Sequence, residues 1–316
     1  MNSLSKQYLV TIAVAILVHL VCFAGVGVFY NTNDDVGMAL IANGYFTGTP
    51  DEHLVFINTI LGHLLKNCYQ TVPAVEWYSV LLVGTQFVAI VAIARILHSR
   101  TTLLSRVAFW CAAVYLILNL QFTNAAYVSL IAGLLILVTR NKQAPWYKYS
   151  FGAFMVLLAF LMRPDAVAAG IFVSIPFLWK REKPFLVAMG SAMLLCGIAL
   201  LVHVNSYSQG MWGAFQKYNL VRGALNDNPN LSVFSQDALA LKTLGITKDE
   251  LDLFNNTTPP EKFDVELLGS IYNEVKLPPS LLHYAKNMML CYPVLPLFLA
   301  LTLLAFYNRS QYNKVK

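Results

Sequence analysis

The hydrophobic pattern of this 316-residue chain consists of long apolar runs separated by short basic clusters and by two long polar segments. A helix needs roughly 20 apolar residues to cross the hydrocarbon core of a membrane. Four runs are long enough for one span each: 8–30, 75–97, 184–204 and 286–307. The pattern therefore predicts an all-α protein whose helices form a polytopic membrane bundle.

Two longer apolar runs each predict a pair of spans. Residues 107–139 carry no charge, and as one helix they would measure about 50 Å, well beyond the ~30 Å hydrocarbon core. A turn in the middle of this run is predicted by the polar residues Asn119, Gln121, Thr123 and Asn124. Residues 149–179 contain Pro164, whose ring breaks the helical hydrogen-bond ladder. The sequence thus predicts about eight transmembrane helices, each near the usual length.

The charge distribution predicts the orientation of the chain in the membrane and argues against nucleic acid as a partner. The chain is 57% hydrophobic and only 12% charged, whereas a soluble domain carries about 25% charged residues. The net charge of +6 comes from Lys and Arg in short clusters between apolar runs, which is the positive-inside pattern rather than a nucleic-acid-binding surface. With eight spans, these clusters share one side of the membrane and both termini are cytoplasmic.

The first polar segment, 31–74, predicts amphipathic helices outside the membrane. Leu54, Ile57, Leu61, Leu64 and Leu65 repeat at helical spacing, which is typical of a helix lying on a membrane surface. A shorter helix is predicted from Asp35 to Ala42, with Asn33 or Asp34 as its N-cap.

The second polar segment, 205–285, has mixed charge and predicts a small helical extracytoplasmic cap. Helix-like pieces occur near 234–244, 247–254 and 264–275. The expected organisation is a bundle over 1–204, this cap, and a last transmembrane helix with a cytoplasmic tail over 286–316.

The acidic pair Asp34-Asp35 directly follows the first span and is the first candidate for catalysis. Two adjacent carboxylates near a low-dielectric surface resist joint ionisation, so that one pKa rises towards the range of a general base. Alternatively, one Asp caps a short helix and the other is solvated. The pair could also hold a divalent cation, and the sequence leaves metal dependence open.

Candidate ligands for a phosphate group occur in both halves of the chain. Arg163 beside Asp165 is predicted at membrane depth, where a guanidinium can grip phosphate oxygens with two donors. Alternatively, Arg163 and Asp165 form a local pair that fastens a helical hairpin.

A second cationic group opens the outer cap. Lys217, Tyr218 and Arg222 share neighbouring helical faces, and they could face a lipid phosphate or a sugar, or belong to a solvated helix near headgroups. His53, beside the amphipathic helix, is a further candidate substrate-binding residue, although a lone His is more often a polar-face residue.

Several of these features occur together in one known group of enzymes. They are a first span with the acidic pair Asp34-Asp35 at its outer end, a long first outside loop with amphipathic helices, a series of hydrophobic hairpins and an outer cap before the last span. In this pattern the chain resembles the membrane glycosyltransferases of the GT-C superfold. More locally, Asn33-Asp34-Asp35, Gly48-Thr49-Pro50-Asp51, Trp77-Tyr78 and Tyr218-Asn219 with Arg222 resemble a poorly characterised group of bacterial envelope proteins.

This resemblance implies a reaction at the outer face of a bacterial inner membrane. GT-C enzymes transfer a sugar from a polyprenyl-phosphate donor, usually with inversion, here to an envelope glycan or lipid-linked acceptor. Asp35 or Asp34 would deprotonate the acceptor hydroxyl, and Arg163, Arg222 or Lys217 would stabilise the leaving phosphate. Two other functions remain open: a transporter or flippase for a lipid-linked sugar, and a non-catalytic membrane partner protein.

Overall fold

A computed structural model describes residues 3–98, 101–139, 145–178, 182–208, 210–226, 228, 230–256 and 263–275. The described residues form two compact units, one up to Val204 and one from Asn205 onward. Both units are built from helices, so the all-α prediction is confirmed. The predicted last span, 286–307, and the tail to residue 316 lie outside the described residues.

The first unit contains the apolar helices and the first polar segment. Its helices are α1 (Ser3–Val21), α2 (Asn33–Ala42), α3 (Thr59–Thr71), α4 (Trp77–His98), α5 (Leu103–Leu118), α6 (Phe122–Thr139), α7 (Trp146–Met162), α8 (Pro164–Leu178) and α9 (Lys183–Ser206). A π-helical turn, Cys22–Val26, follows α1. Two short parallel strands, β1 (Phe29–Tyr30) and β2 (Asn119–Leu120), pair immediately before α2 and α6.

Both predicted breaks in the long apolar runs are confirmed. In the first run, α5 ends at Leu118, the strand β2 follows at Asn119, and α6 begins at Phe122. In the second run, Arg163 is extended at the end of α7. Pro164 is the first residue of α8, a position where its missing N–H removes no helical hydrogen bond.

Four helical segments among the described residues are long and apolar enough to cross a membrane: Gln7–Val26, α4, α6 and α9. Two shorter apolar helices, α5 and α7, accompany them. These helices indicate a membrane protein.

Helix α6 is the buried centre of the first unit. It packs closely on α7 because both helices carry glycine at the crossing: a methyl group on Gly133 would lie 2.7 Å from the carbonyl oxygen of Gly152. Ser129 Oγ of α6 also donates a 2.8 Å hydrogen bond to the Met155 carbonyl oxygen of α7. By contrast, α1 and α9 expose most of their apolar residues, as lipid-facing helices do.

The predicted helix boundaries in the first polar segment were wrong in two places. Helix α2 begins at Asn33 and its N-cap is Thr32, rather than Asn33 or Asp34. Helix α3 begins only at Thr59, so Leu54 and Ile57 precede it although both are fully buried. Leu54 and Ile57 have the spacing of a helical face although they lie in a loop, because this loop also buries its apolar side chains.

Asn58 explains why α3 begins where it does. Its side-chain oxygen accepts a hydrogen bond from the Ile60 N–H, which makes it the N-cap. Its backbone N–H donates to Leu161 O at 2.7 Å, and its Nδ2 donates to Ala199 O at 2.9 Å. These bonds attach the start of α3 to α7 and α9.

The second unit is a set of short helices around its own core. They are α10 (Gly210–Asn226), α11 (Leu231–Phe234), α12 (Ala238–Thr243), α13 (Lys248–Asn256) and α14 (Val265–Glu274). Asp237 and Asp264 cap α12 and α14 by accepting hydrogen bonds from backbone N–H groups. The core includes Leu225, Phe234, Leu251, Phe254, Phe263, Leu268 and Ile271. Helical structure in this part of the chain is as predicted.

Candidate functional site

The carboxylate of Asp35 joins the first turns of three helices. Its Oδ1 accepts hydrogen bonds from the Tyr78 hydroxyl at 2.8 Å and from the Phe122 backbone N–H at 2.9 Å. Its Oδ2 accepts a 2.6 Å hydrogen bond from the Thr32 hydroxyl. The side chain is completely buried. Asp35 therefore ties α2 to the starts of α4 and α6.

Helix geometry accounts for this position of Asp35. It lies in the first turn of α2, three residues after the N-cap Thr32, where a carboxylate is favoured by the helix dipole. Phe122 is the first residue of α6, so its N–H has no partner within that helix. Asp35 accepts this hydrogen bond and thereby stabilises two helix N-termini at once.

Burial raises the pKa of Asp35 above its ordinary value. The three hydrogen bonds from Thr32, Phe122 and Tyr78 act in the opposite direction, and the negative charge of Asp34 adds to the rise. Asp34 itself is exposed. Since a general base must reach the proton that it abstracts, the geometry favours Asp34 over Asp35 as the group that contacts a substrate.

A chain of tyrosines supports the buried carboxylate. The Tyr78 backbone N–H donates to the Tyr69 hydroxyl at 3.1 Å, and that hydroxyl donates to Glu76 Oε2 at 3.2 Å. Burial raises the pKa of Tyr69 to about 12, so it remains a neutral donor at physiological pH. The position of Asp35 is therefore also connected to α3.

Arg163 lies over two aromatic rings. Its guanidinium carbon is 5.1 Å from the ring centroid of Phe122 and 5.5 Å from that of Phe56. The two rings are stacked with centroids 5.8 Å apart. Arg163 Nε also contacts both carboxylate oxygens of Asp165, at 2.9 and 3.1 Å. The local Arg–Asp pair, one of the two alternatives that the sequence left open, is therefore present, and the aromatic rings fix where its cation lies.

Phe122 is the residue that brings the acidic pair and the cation together. Its backbone N–H binds Asp35, and its ring carries Arg163. The sequence-predicted residues Asp34, Asp35, Arg163 and Asp165 consequently lie around the N-terminal end of α6. An exposed carboxylate and a partly exposed guanidinium in the same region can serve proton abstraction and phosphate binding, respectively.

The loop before α3 orients His53. Asp51 Oδ1 accepts a hydrogen bond from the His53 backbone N–H at 2.8 Å and lies 2.7 Å from His53 Nδ1. Neither Asp51 nor its pairing with His53 was predicted, although Asp51 belongs to the Gly-Thr-Pro-Asp turn that the sequence shows. In a short Asp–His pair the carboxylate fixes the orientation of the imidazole ring.

This loop is strained and tightly packed. Val55 has φ of +65°, a conformation that costs a β-branched residue about 1–3 kcal/mol and is commonest at functional sites. The Glu52 backbone rests directly on Gly62 of α3, where a methyl group would overlap the Glu52 carbonyl oxygen. Lys66 of α3 also pairs with Glu52 at 2.5 Å. The position of His53 thus depends on contacts between its loop and α3.

The other predicted cationic residues belong to α10 of the second unit. Arg222 Nε and Nη2 donate to Asn219 Oδ1 at 3.3 and 3.0 Å. Tyr218 packs against the core of its unit; burial raises its pKa, and the Arg222 charge lowers it. Lys217 is exposed. The roles of Lys217, Tyr218 and Arg222 in substrate binding remain predictions.

Metal binding and similarity to known proteins give no further assignment. Within the described ranges, no three or more His, Cys, Asp or Glu side chains are grouped so that they could hold a metal ion. No family model, curated protein or solved structure matches the chain. The functional interpretation therefore depends on the arrangement of Asp34, Asp35, Phe122 and Arg163.

Proposed function

We propose that this protein is a membrane glycosyltransferase of the GT-C type that uses a polyprenyl-phosphate-linked sugar. One observation carries the proposal. Asp35, the buried member of the acidic pair that follows the first span, and the guanidinium of Arg163 both contact a single residue, Phe122. A base for the acceptor and a cation for the leaving phosphate are the two groups that such a transfer requires.

In this mechanism Asp34 is the general base and Asp35 is a positioning residue. The Asp34 carboxylate takes the proton of the acceptor hydroxyl while the acceptor oxygen forms a bond to the anomeric carbon. The bond between the anomeric carbon and the phosphate oxygen breaks on the opposite face, so the configuration is inverted. Polyprenyl phosphate leaves with the bonding electron pair, and Arg163 stabilises its additional negative charge.

We further propose eight spans, with both termini in the cytoplasm and the active face outside. Support comes from opposite ends of α4. Tyr78, near its start, binds Asp35, whereas Arg95 lies near its end, roughly 25 Å along the helix axis. Under the positive-inside rule, Arg95 is cytoplasmic and Asp35 is therefore extracytoplasmic. The location consistent with this orientation and with the GT-C resemblance is the bacterial inner membrane.

The proposed substrates are a polyprenyl-phosphate sugar and an envelope glycan or lipid-linked acceptor. Asp165, paired with Arg163, and His53 are candidate substrate-binding residues of the first unit. Lys217, Tyr218 and Arg222 of the second unit are candidates on the strength of the GT-C resemblance alone. A divalent cation, if the reaction uses one, would bind at Asp34 rather than Asp35, because both oxygens of the buried Asp35 already accept hydrogen bonds.

One reconstitution experiment separates this function from its alternatives. The protein is purified, inserted into lipid vesicles and given a radiolabelled polyprenyl-phosphate sugar with candidate acceptors, with and without EDTA. Label covalently attached to an acceptor supports the glycosyltransferase. Movement of the intact labelled lipid across the vesicle membrane without transfer would identify a transporter. Neither transfer nor movement, across a panel of donors, favours a partner protein and contradicts the proposal.

A further inference from the structure

Two adjoining cavities lie at the end of the bundle that carries Arg95. The first has a volume of ≈ 390 Å³ and lies between α1, α4, α6 and α7. The second, of ≈ 360 Å³, lies between α1, α4 and α5. Gln7, Thr11 and His98 line both cavities, which therefore adjoin and are together called the recess. In α4 and α6 this recess is at the C-terminal end, whereas Tyr78 and Phe122 hold Asp35 at the N-terminal end.

The recess is cationic. Arg95 lines the first cavity with its guanidinium carbon 4.9 Å from the centroid of the Tyr8 ring. Arg106 lines the second, with Nη1 3.2 Å from His98 Nδ1 and Nη2 bonded to the Thr101 carbonyl oxygen at 3.3 Å. Arg106 Nε is buried and has no hydrogen-bond partner within the described part of the chain.

Among the described residues that line the two cavities, Arg95 and Arg106 are accompanied by no Asp or Glu. A recess that holds two arginines without a carboxylate is electrostatically complementary to an anion, and guanidinium groups are well suited to phosphate oxygens.

The walls beside these cations are apolar. Ile12, Phe87, Val88 and Val91 line the first cavity, and Val10, Val14 and Phe109 line the second. A free phosphate ion would leave these walls without contacts. A lipid would bury them with its acyl chain while its phosphate approaches the arginines, as in basic pockets between transmembrane helices that bind anionic headgroups.

We propose that the recess binds anionic phospholipid, with a phosphate held by Arg95 in the first cavity and by Arg106 in the second, and with acyl chains along α1 and α4. Bound lipid would join α1 to α4 and α5. This site is independent of the proposed transferase reaction, because it lies at the other end of α4 and shares none of the residues assigned to that reaction.

Lipid-dependent thermal stability tests the proposal without an activity assay. The full-length protein in neutral detergent is titrated separately with short-chain phosphatidylglycerol, with phosphatidylcholine of the same chain length, and with inorganic phosphate. Saturable stabilisation by phosphatidylglycerol at concentrations where the other two have little effect is expected. Equal stabilisation by phosphatidylcholine, or by inorganic phosphate alone, would overturn the assignment to an anionic lipid.

Substitutions inside and outside the recess test whether the lipid binds there. Arg95→Gln combined with Arg106→Gln is expected to weaken the phosphatidylglycerol effect by about tenfold or more in concentration. Lys148→Gln removes the same kind of charge outside the recess, where Lys148 lies 5.9 Å from the Tyr147 ring centroid, and should leave the effect unchanged. Thr11 lines both cavities, so Thr11→Phe narrows both without altering charge and should also weaken binding. It provides the test if the double variant does not fold. Unchanged binding in Thr11→Phe, or in a folded double variant, contradicts the proposal.

Discussion

The Tyr78 hydroxyl donates a 2.8 Å hydrogen bond to Asp35, which lies 43 residues earlier in the chain. Both side chains are completely buried. Of the two acids in the Asn33-Asp34-Asp35 motif, one is therefore a fixed element of the bundle, and only Asp34 is exposed. The motif therefore contains one structural carboxylate, Asp35, and one accessible carboxylate, Asp34.

Removal of the Asp35 carboxylate should destabilise the protein strongly. Asp35→Ala leaves Thr32, Tyr78 and the Phe122 N–H without their acceptor, and orphaned buried donors cost about 1–3 kcal/mol each. Asp35→Asn should be much milder, because its amide oxygen can accept from Tyr78 and Phe122 while its amino group donates to Thr32. Unfolding in detergent, followed by circular dichroism, compares the two variants. Similar melting temperatures for both would contradict the assigned hydrogen bonds.

The contribution of Asp35 to the stability of the protein should decrease as pH rises. Burial raises the pKa of Asp35 in the folded protein, so its contribution is fully present below the unfolded pKa of about 3.9. It is lost as pH rises through the folded pKa. The melting temperature of the wild type relative to Asp35→Asn should therefore fall as pH increases above about 4. If the melting temperature of the wild type instead rises relative to that of Asp35→Asn over this range, the pKa of Asp35 is lowered in the folded protein.

The helix breaks could be predicted from sequence because their causes are local. The polar residues around Asn119 and the ring of Pro164 each act on the backbone within a few residues. The start of α3 was mispredicted because Leu54 and Ile57 are buried by a loop at spacings that a helix would also produce. The partners of Asp35 could not be found in this way: Tyr78 and Phe122 are 43 and 87 residues away, and no local pattern encodes such contacts.

Arg163 should affect catalysis through geometry as well as charge. Arg163→Gln removes the cation and is expected to lower kcat by about 100-fold, as for the loss of one stabilising group at a developing anion. Arg163→Lys keeps the charge but loses the planar group over Phe56 and Phe122, so it should recover only part of that loss. Transfer rates are compared with Lys148→Gln as a control for loss of positive charge. Wild-type rates in Arg163→Gln would remove this residue from the mechanism.

Gly62 should be required for the loop that carries His53. In Gly62→Ala the new methyl group overlaps the Glu52 carbonyl oxygen, so the Asp51–His53 turn must shift, at a typical cost of about 1–3 kcal/mol. Gly84→Ala is the matched control, because a methyl group at Gly84 meets no other atom within 4 Å, and alanine favours a helix by up to about 1 kcal/mol. Thermal unfolding should show a lower melting temperature for Gly62→Ala only. Equal melting temperatures would mean that the loop does not rest on α3 as described.

Sugar transfer by the Asp34→Asn variant tests the central claim most directly. The wild-type protein, Asp34→Asn and Asp35→Asn are reconstituted in parallel with a radiolabelled polyprenyl-phosphate sugar and an acceptor. If Asp34 is the general base, Asp34→Asn should fold normally and transfer the sugar at least about 100-fold more slowly than the wild type. Asp35→Asn should keep most of its activity. Undiminished transfer by Asp34→Asn would contradict the account.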